Sequence, residues 1–176
     1  IIREAHRQGK TIFGICGGYQ MLGMSIDDPR QTEGDAIHIE GIGLLPMRTV
    51  MGEKKITCQT EFTFATNSND LCKDGVKMRG YEIHQGISTP IDKSTYKPLT
   101  IKADGTPDGC IADSHCMGTY LHGCLDNAAM VDYLIGKKNT ESFDFAEYKE
   151  QHYNRLADHI RKHVDMAKVY DILTRQ

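Results

Sequence analysis

The strongest hydrophobic signal lies near the start of the chain. Thr11-Ile12-Phe13 with Ile15 is a run of β-branched and aromatic residues that predicts a buried strand. Ahead of it, Ile1, Ile2, Ala5 and His6 fall at helical spacing and are closed by Gly9. Behind it, Tyr19, Met21 and Leu22 continue as a short helix, and Asp27-Asp28-Pro29-Arg30 and the polar run to Asp35 predict a loop. From Ile37 to Ser88 the texture becomes strand-like. Gly41-Ile42-Gly43-Leu44-Leu45-Pro46 suggests a strand meeting a bend, Lys55 to Phe64 alternates as a half-exposed antiparallel strand, and Asn67 to Asp70 is a turn. In Tyr81-Glu82-Ile83-His84, period two puts Tyr81 and Ile83 on one face and Glu82 and His84 on the other.

The second half alternates between strands and helices. Leu99–Lys102 and Gly109–Ala112 flank Asp104-Gly105 and read as a β-hairpin with a longer loop. Met117 to His122 is a further strand. Asp126 or Asn127 caps a helix that runs to Ile135 and stops at Gly136. Asp144-x-x-Glu147 predicts a capping box for the last long helix. Leu156, Ile160, His163 and Val164 share one helical face, which Met166, Val169, Tyr170 and Leu173 extend after a break. The class is α/β: a mostly parallel sheet flanked by helices, with an antiparallel extension, in one domain over residues 1–176.

Composition changes this picture little. Hydrophobic residues make up 39% and charged residues 26% of the 176 positions, as in an ordinary globular domain. A formal charge of −3 gives no basis for a nucleic-acid or anionic-membrane partner. No apolar run approaches the ~20 residues of a membrane span. Six cysteines, at 16, 58, 72, 110, 116 and 124, include no Cys-x-x-Cys pair, so a reduced cytoplasmic setting is expected.

Chemistry concentrates where the first strand ends. Gly14-x-Cys16-x-Gly18 is the Gly-x-nucleophile-x-Gly arrangement of a strand-to-helix elbow, with cysteine as the nucleophile. Glycine neighbours relieve the crowding of so sharp a turn. A position at a helix N-terminus would favour the thiolate of Cys16. The alternative is a structural cysteine buried in a βα unit. Gly9-Lys10-Thr11 is no phosphate-binding loop, because Glu4 stands where that motif needs glycine and the segment precedes a strand. Cys110, His115, Cys116, His122 and Cys124 crowd together, but not at zinc-ligand spacing, and no metal is expected.

Three stretches carry a family resemblance. Gly-Ile-Cys-Gly-Gly-Tyr-Gln-Met-Leu-Gly at 14–23 resembles the nucleophile motif of triad-type (class I) glutamine amidotransferase domains. Arg79-Gly80-Tyr81-Glu82-Ile83-His84-Gln85-Gly86 and Gly118-Thr119-Tyr120-Leu121-His122-Gly123 narrow the likeness to the C-terminal amidotransferase domains of cobyric acid synthases. The tail with Arg155-Leu156-Ala157-Asp158 is similar to that family's last helices.

The resemblance implies glutamine hydrolysis by Cys16 and a histidine base, His122, with His84 as its competitor and neighbour to the substrate. The N–H of Gly17 would serve the oxyanion, and Gln20, Glu82 and His84 would border the glutamine. Most triad amidotransferases carry glutamate two residues after the histidine. Here Cys124 stands there, so Glu82 or a backbone carbonyl would orient the ring. The partners implied are L-glutamine, a synthetase domain of the same full-length chain and, through it, a corrinoid acceptor. No cofactor is implied for this domain, with ATP and Mg confined to the synthetase. The amidotransferase domain of a,c-diamide synthases and a catalytically silent docking module are the alternatives. Because the nucleophile strand comes almost at once, a fragment lacking its first strands and any upstream synthetase domain is expected, with little or no glutaminase activity of its own and a tendency to self-associate.

Overall fold

A computed structural model describes residues 1–65, 75–136 and 145–175. In chain order the first part carries α1 (Ile2–Arg7), β1 (Ile12–Ile15), α2 (Gly17–Leu22), β2 (Ser25–Asp27), β3 (His38–Glu40), β4 (Met47–Phe64) and β5 (Met78–Pro90). There follow β6 (Thr100–Lys102), β7 (Pro107–Asp108), β8 (Cys110–Asp113), β9 (Cys116–Thr119), β10 (Leu121–His122) and α3 (Ala128–Ile135). The tail holds α4 (Phe145–His163) and α5 (Met166–Thr174). The chain divides into two compact units, Ile1–Lys138 and Asn139–Gln176, where the sequence suggested one domain.

Two sheets build the first unit. A three-stranded sheet runs in the order β1-β9-β8, with β1 and β9 parallel and Ile15 opposite Thr119. The second sheet runs β10-β5-β4-β2-β3 and is extended by β6 and β7. The expected α/β class holds. Among the described residues parallel pairing is confined to β1–β9 and β2–β4, so the antiparallel part is larger than an extension. Its axis is the long β4–β5 pair, whose register shifts between Met51 and Ile56. Such a shift bends and twists a ladder locally.

One apolar core lies under this ladder, where Phe62, Met78, Leu99, Leu121 and Met130 are buried together. Another joins Tyr19 and Leu22 of α2 to Leu45, Cys116 and Tyr120. Burial of side chains this size stabilises by roughly 1.5–3 kcal/mol each. The alternation at 81–84 is present, and the buried face is the polar one: Glu82 and His84 are inside while Tyr81 and Ile83 are exposed.

Several local expectations change. Gly41 to Pro46 is no strand; its N–H groups cover the open carbonyls at the end of α2, with Ile42 donating to Met21 and Leu44 and Leu45 to Leu22. A Cβ on Gly41 would lie 2.0 Å from the Gly23 carbonyl, so only glycine permits that approach. The hairpin partner of β6 is β7, not 109–112. Gly109, at φ +75°, then redirects the chain so that β8 joins β9 in the other sheet. Residues 117–122 likewise split: β9 lies in one sheet, β10 in the other, and Tyr120 bridges them.

Asn127 precedes α3 without a side-chain cap. Its amide instead accepts from Arg79 N at 3.0 Å and donates to the carbonyls of Arg79, Gly123 and Cys124. The turn at 67–70, Cys72, and the Asp144 end of the capping box lie outside the described residues. In the second unit α4 ends before Asp165, whose carboxylate caps α5 by accepting from Lys168 N at 3.1 Å. No helix among the described residues is long and apolar enough to cross a membrane.

Candidate active site

Cys16 stands where β1 stops and α2 begins. Its backbone has φ 51° and ψ −111°, a conformation non-glycine residues rarely adopt and which persists only when its surroundings impose it. The imposition is visible. Cys16 N donates to Thr119 O at 2.9 Å, continuing the β1–β9 ladder, while Cys16 O accepts from Gln20 N at 3.0 Å, starting the helix. Gly14 is needed, since a Cβ there would come within 2.8 Å of the Gly18 backbone. Gly17 and Gly18 have open space around the position a Cβ would take, so crowding explains only the first glycine of the motif.

The sulfur lies at a cleft of about 400 Å³. Gly17, Gln20 and His84 border the same space, as do Lys55 and, from the loop after β2, Asp28 and residues 33–36. Burial pushes the Cys16 thiol up, against the opposing pull of the Gly17 N–H. The charge of Glu33 raises it further and Lys55 lowers it. The thiol donates weakly to the Ile83 carbonyl at 3.7 Å. Burial therefore works against the thiolate that a helix N-terminus would favour, and α2, with six residues, is a short helix to set against it.

Gln20 and His84 are held by one aromatic side chain. Gln20 Nε2 donates to Tyr120 Oη at 3.2 Å, and the His84 ring stacks on Tyr120 with centroids 3.8 Å apart. Tyr120 Oη in turn shares hydrogen bonds with Ser88 Oγ, which pairs with Thr49 Oγ1. Gly86 lets Gln20 in, since a Cβ there would meet Gln20 Nε2 at 2.3 Å.

Glu82, expected beside the substrate, does not line the cleft. It lies buried behind His84, accepting from Lys102 Nζ at 3.0 and 3.2 Å and from Cys58 Sγ at 3.5 Å. His84 Nε2 meets its Oε1 at 3.4 Å. The His84 bond, opposed by burial and reinforced by Lys102, holds the Glu82 carboxyl down at about 2.

His122 follows Leu121 on β10, opposite Tyr81, and stacks on the Tyr81 ring with centroids 5.1 Å apart. It is not among the described residues bordering the cleft. Its Nε2 is buried and has no hydrogen-bond partner. The two assigned residues nonetheless converge on one short stretch of β5: Cys16 bonds to Ile83, and His122 stacks on Tyr81. Glu82 has His84, Lys102 and Cys58 as its side-chain partners, and none of its recorded bonds reaches His122. Asp28, Glu33, Lys55 and Tyr120 were not singled out from the sequence. Charged residues in a loop and an alternating strand read as solvated surface, and a strand tyrosine reads as core.

Residues 1–130 match the CobB/CobQ-like glutamine amidotransferase domain. The chain belongs to that family. Among curated relatives, cobyric acid synthase of Bacteroides fragilis is 44% identical over 98% of this chain, and that of Parabacteroides distasonis 44% identical over 97%. Cobyric acid synthase of Phocaeicola vulgatus is 40% identical over 98%. The chain spans about a third (34%) of the length of each of these relatives. Amidotransferase folds also surface among solved structures. PurLQS from Thermotoga maritima aligns with a TM-score of 0.51 at 20% identity, over 88% of this chain and 66% of that one. A glutamine amidotransferase crystal structure aligns with a TM-score of 0.52 at 14% identity, over 77% and 65%. The α/β expectation and the amidotransferase resemblance are thus both met.

Proposed function

We propose that this amidotransferase domain hydrolyses L-glutamine and supplies the ammonia to a synthetase domain, which amidates corrinoid side-chain carboxylates as in cobyric acid synthases. The observation that carries the reading is Cys16, held at a strained strand-to-helix elbow on the wall of a cleft that Gln20 and His84 share. The cobyric acid synthase relatives favour this acceptor over the a,c-diamide alternative. ATP and Mg would be needed only in the synthetase part.

In the proposed reaction, substrate entry replaces the Ile83 carbonyl as the neighbour of Cys16 Sγ. The thiol proton passes to His122 Nε2, the described histidine nitrogen that is buried and bare. The sulfur adds to the carboxamide carbon, and the Gly17 N–H stabilises the oxyanion. The C–N bond then breaks, ammonia leaves with the proton from His122, and a γ-glutamyl thioester remains on Cys16. Water, deprotonated by His122, cleaves the thioester to glutamate and restores the thiol. Gln20 would help to hold the amino-acid end of the substrate.

The test is glutamate release from glutamine by the full-length enzyme that carries this chain and by its Cys16→Ala variant. Release that depends on Cys16, with a γ-glutamyl adduct on that residue after acid quench, is the expected result. Equal release by both proteins would refute the assignment.

A further inference from the structure

We infer that the cleft reads the two charges of the amino-acid substrate separately, with Lys55 taking the α-carboxylate and Glu33 the α-ammonium. This deepens the glutaminase reading and rests on it. A carboxamide next to Cys16 is the same in any amide, so selection for a free amino acid has to come from groups further along the cleft. Among the described residues the lining carries one cation, Lys55 on the shifted segment of β4, and three carboxylates in the loop after β2, Asp28, Glu33 and Asp35. Of these, Asp28 is spent on bonds within its own loop, and Glu33 is the one whose charge acts on the Cys16 sulfur. Lys55 and Glu33 act on Cys16 through their charge with opposite effects, so both lie within electrostatic reach of the reacting sulfur.

Both side chains are exposed at the rim, but the backbone that carries them is held. Asp28, only 5% exposed, accepts from Thr32 Oγ1 at 3.0 Å and from Glu33 N at 2.8 Å, which fixes the loop at Glu33 itself. Gln31 adopts φ 55° and donates through Nε2 to Asp35 O at 2.7 Å, closing the loop on itself. An ion pair between Arg30 and Glu53 ties that loop to β4 two residues from Lys55. Loop and strand therefore present their charges as one bipolar rim. A zwitterion fits such a rim, and a substrate with one charge would leave half of it unmatched.

Protection of Cys16 from iodoacetamide, read by mass mapping, tests the assignment without needing turnover. The probes are glutamine, glutaramate (glutamine without its α-ammonium) and γ-aminobutyramide (glutamine without its α-carboxylate). Lys55→Met should raise the half-protecting concentration of glutamine and glutaramate by about three- to tenfold and leave that of γ-aminobutyramide unchanged. Glu33→Gln should do so for glutamine and γ-aminobutyramide, leaving glutaramate unchanged. If either variant weakens all three probes alike, or none, the charge assignment is overturned while the glutaminase reading stands. If glutamine gives no protection even to the unsubstituted chain, both fall.

Discussion

His84 and His122 lie on neighbouring strands, β5 and β10, and differ in what their ring nitrogens meet. His84 Nδ1 faces the Gly86 carbonyl at 2.8 Å and its Nε2 faces the Glu82 carboxylate at 3.4 Å. Both ring nitrogens of His84 are thus taken up by acceptor groups of the protein. His122 is the reverse case: its Nε2 is buried and unpartnered. A buried polar atom without a partner is uncommon and calls for an explanation. A base that must take a proton from Cys16 needs such a free nitrogen, whereas a residue that shapes a pocket gains from being locked. Proximity to the cleft and an open ring nitrogen thus fall on different histidines, and the proposed reaction uses the second. His84 borders the space and His122 holds the open site.

The largest effect expected from this contrast is on turnover. In the full-length enzyme, His122→Ala should lower glutamate release by about two or more orders of magnitude, as for loss of a general base. His84→Ala should lower it by about tenfold, through displaced Tyr120 and Gln20. The reverse ranking would exchange their roles.

Next in size is the acid stability that locks His84. The folded Glu82 carboxyl sits at about 2, below its ordinary 4.5, so its contribution is present above pH 4.5 and is lost as pH falls through about 2. The shift corresponds to about 3 kcal/mol. Glu82→Gln should therefore lower stability at pH 7 and flatten its fall between those limits, followed by urea unfolding at several pH values. An unchanged acid profile would mean that Glu82 is not the anchor.

A third measurement addresses the Cys16 sulfur itself. Because burial raises the Cys16 thiol, its alkylation should accelerate about tenfold per pH unit from neutrality upward. A rate already level at pH 7 would reveal a thiolate and contradict this. Cys110, Cys116 and Cys124, buried and pushed up to about 11, 12 and 11, should stay unlabelled in the folded chain.

The smallest effect concerns the clip that follows His122. Asn127→Ala removes the bonds joining Arg79 to the Gly123 turn and should cost about 1–2 kcal/mol, visible as a lower Tm. If the bare nitrogen depends on how β10 meets β5, the variant should also slow turnover with little change in KM. A stability loss with no such change would confine Asn127 to structure.

Local chemistry announced the elbow, because the signals for a strand, a tight turn and a helix are contiguous in residues 11–23. The same holds for α3, whose stop at Gly136 adopts the left-handed conformation expected of a C-terminal glycine. Gln20 and His84 were named from motifs and do share the cleft with Cys16. What the sequence could not determine depends on contacts between distant segments. Periodicity separates the faces of 81–84 but carries no sign, and only packing put Glu82 and His84 inside, where Lys102 and Tyr120 come to meet them. The split of 117–122 between two sheets turns on Tyr120, a residue no pattern distinguishes from an ordinary strand tyrosine. The environment of the Cys16 thiol is likewise tertiary: a helix start argues for thiolate, and burial, which no short window of sequence reports, pulls the other way.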